Sequence, residues 1–341
     1  MFSESSKRWW IYAACVVLVI SLLTACGGQN SGETNTGGAN TADDPGNHAG
    51  TGQEHPEAEK TAGERILVDP LGHEVAVPAE PQRIIASYLE DYLVALGVKP
   101  VAQWAIGDSP MLYLQSELEG VPYIPYDLPF EAVASFNPDL IIIGDEGLIA
   151  DDKYASYAKI APTYALGNEI YSDWRQTLLK IGEVLNKSEQ ARQVLDEYEA
   201  KAAEARAQIE AAYDTPPSVA AIWLVSKTFW VASDNMSSGA VLYQDLGLAV
   251  PEIVQTISDG EGGIWKSISM EALAQLDADH IFLINSDTAA GSEALQDPIW
   301  QSLPAVKNGN VHEYGPETSW LYTGPIANSQ MIDDILESLI P

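Results

Sequence analysis

Two stretches of the chain share one pattern of apolar and polar positions. FEAVASFNPDLIII (130–143) and MEALAQLDADHIFLI (270–284) each begin as a short amphipathic helix and continue into an apolar run typical of a buried strand. Aligning Glu131 with Glu271 also matches two alanines, one aspartate and one isoleucine. We therefore predict two related halves, with one of these glutamates at an equivalent place in each half.

Segments with strand and helix patterns alternate around both stretches. The turn Asp69–Gly72, with proline second and glycine fourth, predicts a β-hairpin. Residues 83–87 and 218–225 are apolar runs that predict the first strands of two successive series. This order predicts an α/β protein with two α/β lobes, at 64–170 and 215–341, and a ligand cleft between them.

Residues 171–214 predict a helical connection between the lobes. Ser172 can cap a helix that carries Trp174, and Ser188 can cap a second helix from Glu189 to about Tyr213. A helix of about 25 residues would reach roughly 37 Å. Its many charged residues require much of its surface to face water, so we expect a single long backbone helix that joins the two lobes.

The N-terminus has the features of an export signal. Lys7 and Arg8 precede the apolar run Ile11–Leu23, which is too short to span a bilayer comfortably. Leu23-Thr24-Ala25-Cys26 follows and resembles the lipobox of bacterial lipoproteins. The resemblance implies a signal peptide at 1–25 and a lipid on Cys26, which would hold the protein on the extracytoplasmic face of the cell membrane. An uncleaved signal anchor is the alternative.

Residues 26–63 would then be the lipidated cysteine and a tether. Alanine is the only apolar side chain from 27 to 63. Such a segment buries too little apolar surface to offset its chain entropy, so we predict that it is disordered.

The charge balance excludes one class of partner. The chain has 17 Lys and Arg against 49 Asp and Glu, a net charge of −32. Nucleic-acid binding requires clustered cations, so no nucleic-acid partner is expected. The catalytic motifs GxSxG, GxGxxG, HExxH and the P-loop are also missing from the sequence. We therefore expect no enzyme, no resident cofactor and no metal bound directly by the protein, since the histidines are few and scattered.

Aromatic residues are the remaining candidates for ligand contact. Many lie at predicted strand ends or in loops, where a cleft between lobes would form. Lys227 and Arg175 could add contacts to anionic oxygens, although Arg175 could equally brace the long helix. The predicted aromatic contacts are Tyr88, Trp104, Trp223, Trp230, Trp265, Trp320 and Tyr322.

Several phrases together carry a family resemblance over residues 64–341. GHEVAVPAEPQRIIAS, APTYAL, GAVLYQDLGLAVPEIV and WQSLPAVKNGNVHEY, in this order after a lipobox, resemble the iron-siderophore and cobalamin class of ABC-transporter substrate-binding proteins. In that family two lobes are joined by one rigid helix, and a glutamate on each lobe contacts arginines of the permease. By position in the motif, these glutamates are Glu131 and Glu271.

The resemblance implies a monomeric binding lipoprotein that captures a ferric siderophore and delivers it to an ABC permease for iron uptake. The scarcity of cations near the cleft favours a hydroxamate or citrate-hydroxamate chelate over a catecholate. Haem or cobalamin binding within the same family is the closer alternative. An adhesive lipoprotein without a small ligand is a more distant one.

Overall fold

The computed structural model describes residues 63–259, 263–287 and 292–340. The predicted signal peptide, Cys26 and almost all of the tether lie outside these residues. No helix within the described ranges is both long and apolar enough to cross a membrane.

The first lobe contains three small sheets. The hairpin β1–β2 is antiparallel, and its turn closes through a bond from the Gly72 amide to the Asp69 carbonyl, as the sequence predicts. A parallel sheet has the order β3-β7-β8, and a mixed sheet has the order β5-β4-β6. The strands are β1 (Glu64–Val68), β2 (Glu74–Pro78), β3 (Ile84–Ile85), β4 (Gln103–Ile106), β5 (Ser109–Pro110), β6 (Tyr123–Pro125), β7 (Leu140–Ile143) and β8 (Thr163–Ala165).

Short helices connect these strands. Most are one or two turns long, so their stability comes from packing rather than from intrinsic propensity. They are α1 (Glu90–Ala95), α2 (Gln115–Leu118), α3 (Phe130–Ser135), α4 (Lys153–Tyr157) and α5 (Asn168–Tyr171), with 3₁₀ turns at Leu112–Leu114 and Glu146–Ile149.

Two helices lead out of the first lobe. α6 (Trp174–Val184) is capped by Asp173, whose carboxylate accepts the amides of Arg175 and Gln176, so the predicted cap at Ser172 is wrong by one residue. α7 (Ser188–Ala212) is the predicted long helix, and Ser188 lies inside it rather than capping it. Helical spacing places Ala191, Tyr198, Ala202, Ala205 and Ile209 in one buried stripe, which packs on α6 and on the C-terminal helix.

The second lobe contains one five-stranded sheet in the order β11-β10-β9-β12-β13. β12 lies between β9 and β13, parallel to both. The strands are β9 (Val219–Val225), β10 (Thr228–Ala232), β11 (Trp265–Ser267), β12 (His280–Asn285) and β13 (Val311–Tyr314). The helices are α8 (Ser237–Gly239) with a π-helical continuation at Ala240–Asp245, α9 (Glu252–Ser258), α10 (Met270–Leu273), α11 (Ser292–Leu295), α12 (Pro298–Ser302), α13 (Pro304–Asn308), a 3₁₀ turn at Ser319–Leu321 and α14 (Pro325–Leu339).

A second connection joins the lobes besides α7. The N-terminus of α14 is capped by Asp91 of α1, whose carboxylate accepts the amides of Ile326 at 3.0 Å and Ala327 at 2.9 Å. Gly324 precedes this cap with φ +147°, and a Cβ there would lie 2.5 Å from the Asp91 carboxylate. The structure therefore confirms the predicted fold class of two α/β lobes joined by a long helix.

Candidate functional site

Two adjoining cavities lie between side chains of the two lobes. The first, here called the aromatic cavity, measures about 530 Å³. The second measures about 570 Å³ and shares Tyr88 and Tyr171 with the first. The aromatic cavity is lined by Ser87, Tyr88, Trp104, Ile106, Tyr126, Asp145, Leu148, Tyr171, Trp223, Trp265, Leu321 and Tyr322.

The ends of parallel strands place these side chains. Ser87 and Tyr88 follow β3, and Asp145 follows β7, so they meet at the carboxyl edge of the first lobe's parallel sheet. Tyr88 has φ +62°, a left-handed conformation that is strained for a tyrosine and concentrates at functional sites. Gly144 is needed beside them, because a Cβ there would lie 2.5 Å from the Tyr171 ring.

Aromatic rings from both lobes contact one another around the cavity. The Tyr88 ring lies 5.1 Å from Trp104 and 6.2 Å from Tyr322, between ring centroids. Trp223 on β9 lies 5.9 Å from Trp265 on β11. These tilted and edge-on arrangements are favourable for aromatic pairs. The result is a wall of ring faces that suits a large, partly apolar ligand.

The polar groups of the wall are mostly neutral donors. Burial raises the pKa of the Tyr88 and Tyr322 hydroxyls and raises that of Tyr171 to about 12, so all three stay protonated at neutral pH. None of the three hydroxyls donates to another described residue. The indole N–H of Trp265 is buried without a hydrogen-bond partner among the described residues. The three hydroxyls can donate hydrogen bonds to ligand oxygens.

Glu90 is a buried carboxyl group close behind this wall. Its Oε1 accepts the Trp104 amide at 2.6 Å, whereas its Oε2 has no partner among the described residues. Burial raises its pKa to about 7, against the lowering effect of backbone hydrogen bonds. The group therefore titrates near neutrality rather than in the usual range of a glutamate.

Five of the predicted ligand contacts line the aromatic cavity: Tyr88, Trp104, Trp223, Trp265 and Tyr322. Trp230 does not line either cavity. It is half-buried on β10 directly opposite Trp223, so the two side chains share one face of the sheet, with their ring centroids 6.3 Å apart.

Arg175 lines the second cavity, but its charge is already engaged. Its Nε contacts Glu199 at 2.5 Å and its Nη2 contacts Asp245 at 2.8 Å. The guanidinium also lies over the Trp174 ring, 4.6 Å from its centroid. Since Glu199 belongs to α7, the structure gives Arg175 the bracing role that the sequence left open, rather than that of a free anion-binding cation.

Two predicted contacts are placed elsewhere by the structure. Lys227 lies in the β9–β10 turn with φ +61°, and its exposed ammonium pairs with Glu293 at 2.8 Å. Trp320 is fully buried, stacks on Phe282 at 4.8 Å and donates its indole N–H to Asp334. Neither side chain borders the two cavities, so neither belongs to the candidate site described here.

Sequence reasoning missed several lining residues. Asp145 and Tyr126 carried a usable signal, because each lies within two residues of the end of a strand, where ligand residues concentrate. Ser87 also ends such a segment. Ile106, Leu148, Tyr171 and Leu321 carried no local signal that separates them from ordinary packing residues.

Glu131 and Glu271 occupy equivalent positions. Each is the second residue of its helix, α3 or α10, and each is exposed. Neither carboxylate forms an ion pair with any described residue. Both helices lead directly into a buried parallel strand, so the two acids are held on rigid elements and remain free for a partner.

The comparisons with known proteins agree with this geometry. The periplasmic binding protein family matches residues 125–318. The iron(3+)-hydroxamate-binding protein YxeB of Bacillus subtilis is 26% identical, covering 98% of this chain and 97% of its own. The iron(3+)-hydroxamate-binding protein FhuD of the same organism is 28% identical, covering 78% and 83%.

Solved structures of two binding proteins superpose on this chain. Staphylococcus aureus SirA complexed with staphyloferrin B superposes with a TM-score of 0.68 at 25% identity, covering 81% of this chain and 98% of its own. A periplasmic binding protein component of a ferrichrome ABC transporter from Bacillus subtilis gives 0.67 at 26% identity, covering 80% and 98%. The resemblance inferred from the sequence is confirmed: the chain belongs to the periplasmic binding protein family, whose members bind solutes and are not enzymes.

Proposed function

We propose that this protein captures a ferric siderophore of the hydroxamate or citrate-hydroxamate class and delivers it to an ABC permease for iron uptake. It acts as a monomer on the extracytoplasmic face of the cell membrane, anchored by a lipid on Cys26. It needs no resident cofactor, because iron arrives already chelated as the transported ligand.

The observation that carries this proposal is the aromatic cavity. A ferric chelate is a bulky, rounded molecule with apolar linkers and a surface of coordinated oxygens. Ring faces from Tyr88, Trp104 and Trp223 fit the linkers, and the neutral tyrosine hydroxyls fit the oxygens.

The binding test is a fluorescence titration of the purified mature protein. Trp104, Trp223 and Trp265 line the cavity, so a bound ferric chelate should quench their emission. The panel contains a ferric trishydroxamate, ferric citrate, a ferric triscatecholate, haem and cobalamin. Saturable quenching by a ferric siderophore supports the proposal. Quenching by haem or cobalamin alone would make that compound, rather than a siderophore, the transported ligand. No response to any member of the panel would contradict a transport role.

The docking test uses charge reversal at the two exposed glutamates. Glu131→Arg and Glu271→Arg should each reduce siderophore-dependent iron uptake at least about tenfold, because each places a cation against a basic patch of the permease. Glu189→Arg, an exposed glutamate in the first turn of α7, is the matched control and should leave uptake unchanged. Siderophore affinity of all three variants should equal that of the parent. Unimpaired uptake by both docking variants would contradict the assignment.

A further inference from the structure

The charged groups around the aromatic cavity are of one sign. Its described lining residues include no lysine, arginine or histidine, and their one charged side chain is Asp145. The internal stretches 260–262 and 288–291, outside the described residues, contain no cationic residue in their sequences either. Among the described lining residues, an anionic chelate entering this cavity would therefore find no cation to offset its desolvation.

The second cavity does not supply the missing cation. Arg175 is its basic residue among those described, and the guanidinium is shared by Glu199 and Asp245. One positive group between two carboxylates leaves no net positive charge to offer a ligand. Asp173 lines the same cavity and adds a further acid, although its oxygens accept hydrogen bonds from Arg175 and Gln176.

Asp145 has one carboxylate oxygen available. Its Oδ1 accepts the Gly147 amide at 2.7 Å and so caps the 3₁₀ turn Glu146–Ile149. Its Oδ2 makes no hydrogen bond to a described residue. The residue is exposed and shares the cavity wall with Tyr126 and Tyr171. A carboxylate beside aromatic faces is the arrangement that binds a protonated amine, through an ion pair and cation–π contacts.

We propose, on the basis of the function above, that the cargo is an iron chelate with zero or positive net charge, and that Asp145 recognises a protonated amine on it. Three singly charged hydroxamates neutralise Fe³⁺, so a trishydroxamate with one free amine is cationic. Chelates that retain uncoordinated carboxylates, or that use doubly charged catecholates, are anionic and disfavoured. This narrows the proposed hydroxamate or citrate-hydroxamate class to the hydroxamates.

The long-range electrostatic field of the protein also favours a cationic chelate over an anionic one. A net charge of −32 repels anions approaching the cavity and attracts cations, with an effect that weakens as salt rises. The preference for the cationic chelate should therefore grow at low ionic strength.

The test compares two ferric chelates that differ in one charge. Ferrioxamine B, a linear trishydroxamate with a terminal amine, and its N-acetylated ferric complex are titrated against the parent protein and Asp145→Asn. The amide of asparagine keeps the Oδ1 acceptor for Gly147 while removing the charge. We expect the parent to bind the amine form about tenfold more tightly than the acetylated form, and Asp145→Asn to lose that difference.

Asp151→Asn is the matched control, since Asp151 is exposed, lies nearby in sequence, has φ +54° that asparagine tolerates, and does not line the aromatic cavity. It should preserve the tenfold preference. Equal affinity of the parent for both chelates would overturn the role of Asp145 while leaving the proposed function intact. Tighter binding of ferric citrate or a triscatecholate would overturn the charge preference in the same way. Failure of every ferric chelate would instead overturn the proposed function itself.

Discussion

The segments around Glu131 and Glu271 can be compared residue by residue, and their first five positions have the same order of exposed, half-buried and buried side chains. In each, a buried residue of the helix, Val133 or Leu273, packs with two alternate residues of the following strand. The strands pair in the same way, because β7 lies between β3 and β8 as β12 lies between β9 and β13. The repeated phrase therefore encodes one packing unit, used once in each lobe.

The matched aspartates explain why the repeat extends into the strand. The Asp139 carboxylate accepts the amides of Gln82 and Arg83, just before β3. The Asp279 carboxylate accepts the amide and hydroxyl of Ser218, just before β9. Each aspartate stabilises the start of the neighbouring parallel strand. The two lobes therefore repeat the same hydrogen-bonding arrangement as well as the same helix–strand packing.

The lobes differ in what surrounds this unit. β7 has four residues in a three-stranded sheet, whereas β12 has six in a five-stranded sheet extended by β10 and β11. α10 is capped by the Ser269 hydroxyl, whereas Pro129 precedes α3 and offers no side-chain cap. The comparison teaches that the two glutamate-bearing helices and their following strands are alike, while the segments that build the cavity walls differ between the lobes.

Truncating the buried helix residue of each packing unit, Val133 or Leu273, should have the largest effect on the free energy of unfolding. Leu273→Ala should lower the free energy of unfolding by about 3 kcal/mol, and Val133→Ala by about 2 kcal/mol, because both side chains are fully buried and leucine loses more carbon atoms. Urea denaturation measures both. A negligible loss in either variant would contradict equivalent core units.

Removing the strand-fastening carboxylates should have an intermediate effect. Asp139→Ala and Asp279→Ala should each cost about 1–2 kcal/mol of unfolding free energy, since each loses two hydrogen bonds. Asp139→Asn keeps one of the two acceptor oxygens and should lose about half as much. Asp279→Asn can keep both bonds, because the amide and the hydroxyl of Ser218 both bond to Oδ2, and should lose the least. Thermal or urea unfolding measures both variants. A large loss of unfolding free energy for one aspartate and none for the other would refute an equivalent role in the two lobes.

The smallest effect should come from the side-chain cap that α10 has and α3 lacks. Ser269→Ala removes the bond from the Ala272 amide to the serine hydroxyl, measured at 3.2 Å, and should cost about 1 kcal/mol. Pro129→Ala removes no side-chain acceptor and serves as the comparison in α3, read by the same unfolding measurement. A Ser269→Ala variant as stable as the parent would show that backbone packing alone sets this helix start.

Much of the fold could be predicted because its signals are local and periodic. The apolar run at 140–143 and the stripe on α7 need only side-chain spacing to be recognised. The site was harder to predict because side chains of neighbouring residues point to different places, one into the core and the next into the cavity. In the 3₁₀ turn at Ser319–Leu321, Trp320 turns into the core against Phe282, whereas Leu321 and the following Tyr322 line the cavity. Only the packing of distant segments decides between these directions.

The cap that Asp91 provides to α14 also constrains how the chain folds. Its bonds to Ile326 and Ala327 close a separation of more than two hundred residues, among the most distant contacts in the described chain. Closing so long a loop costs entropy before its contacts contribute, which slows folding. Asp91 itself is buried, and burial raises its pKa to about 6. The first lobe therefore holds a costly buried acid that is fully satisfied only when α14, more than two hundred residues further along the chain, docks onto it.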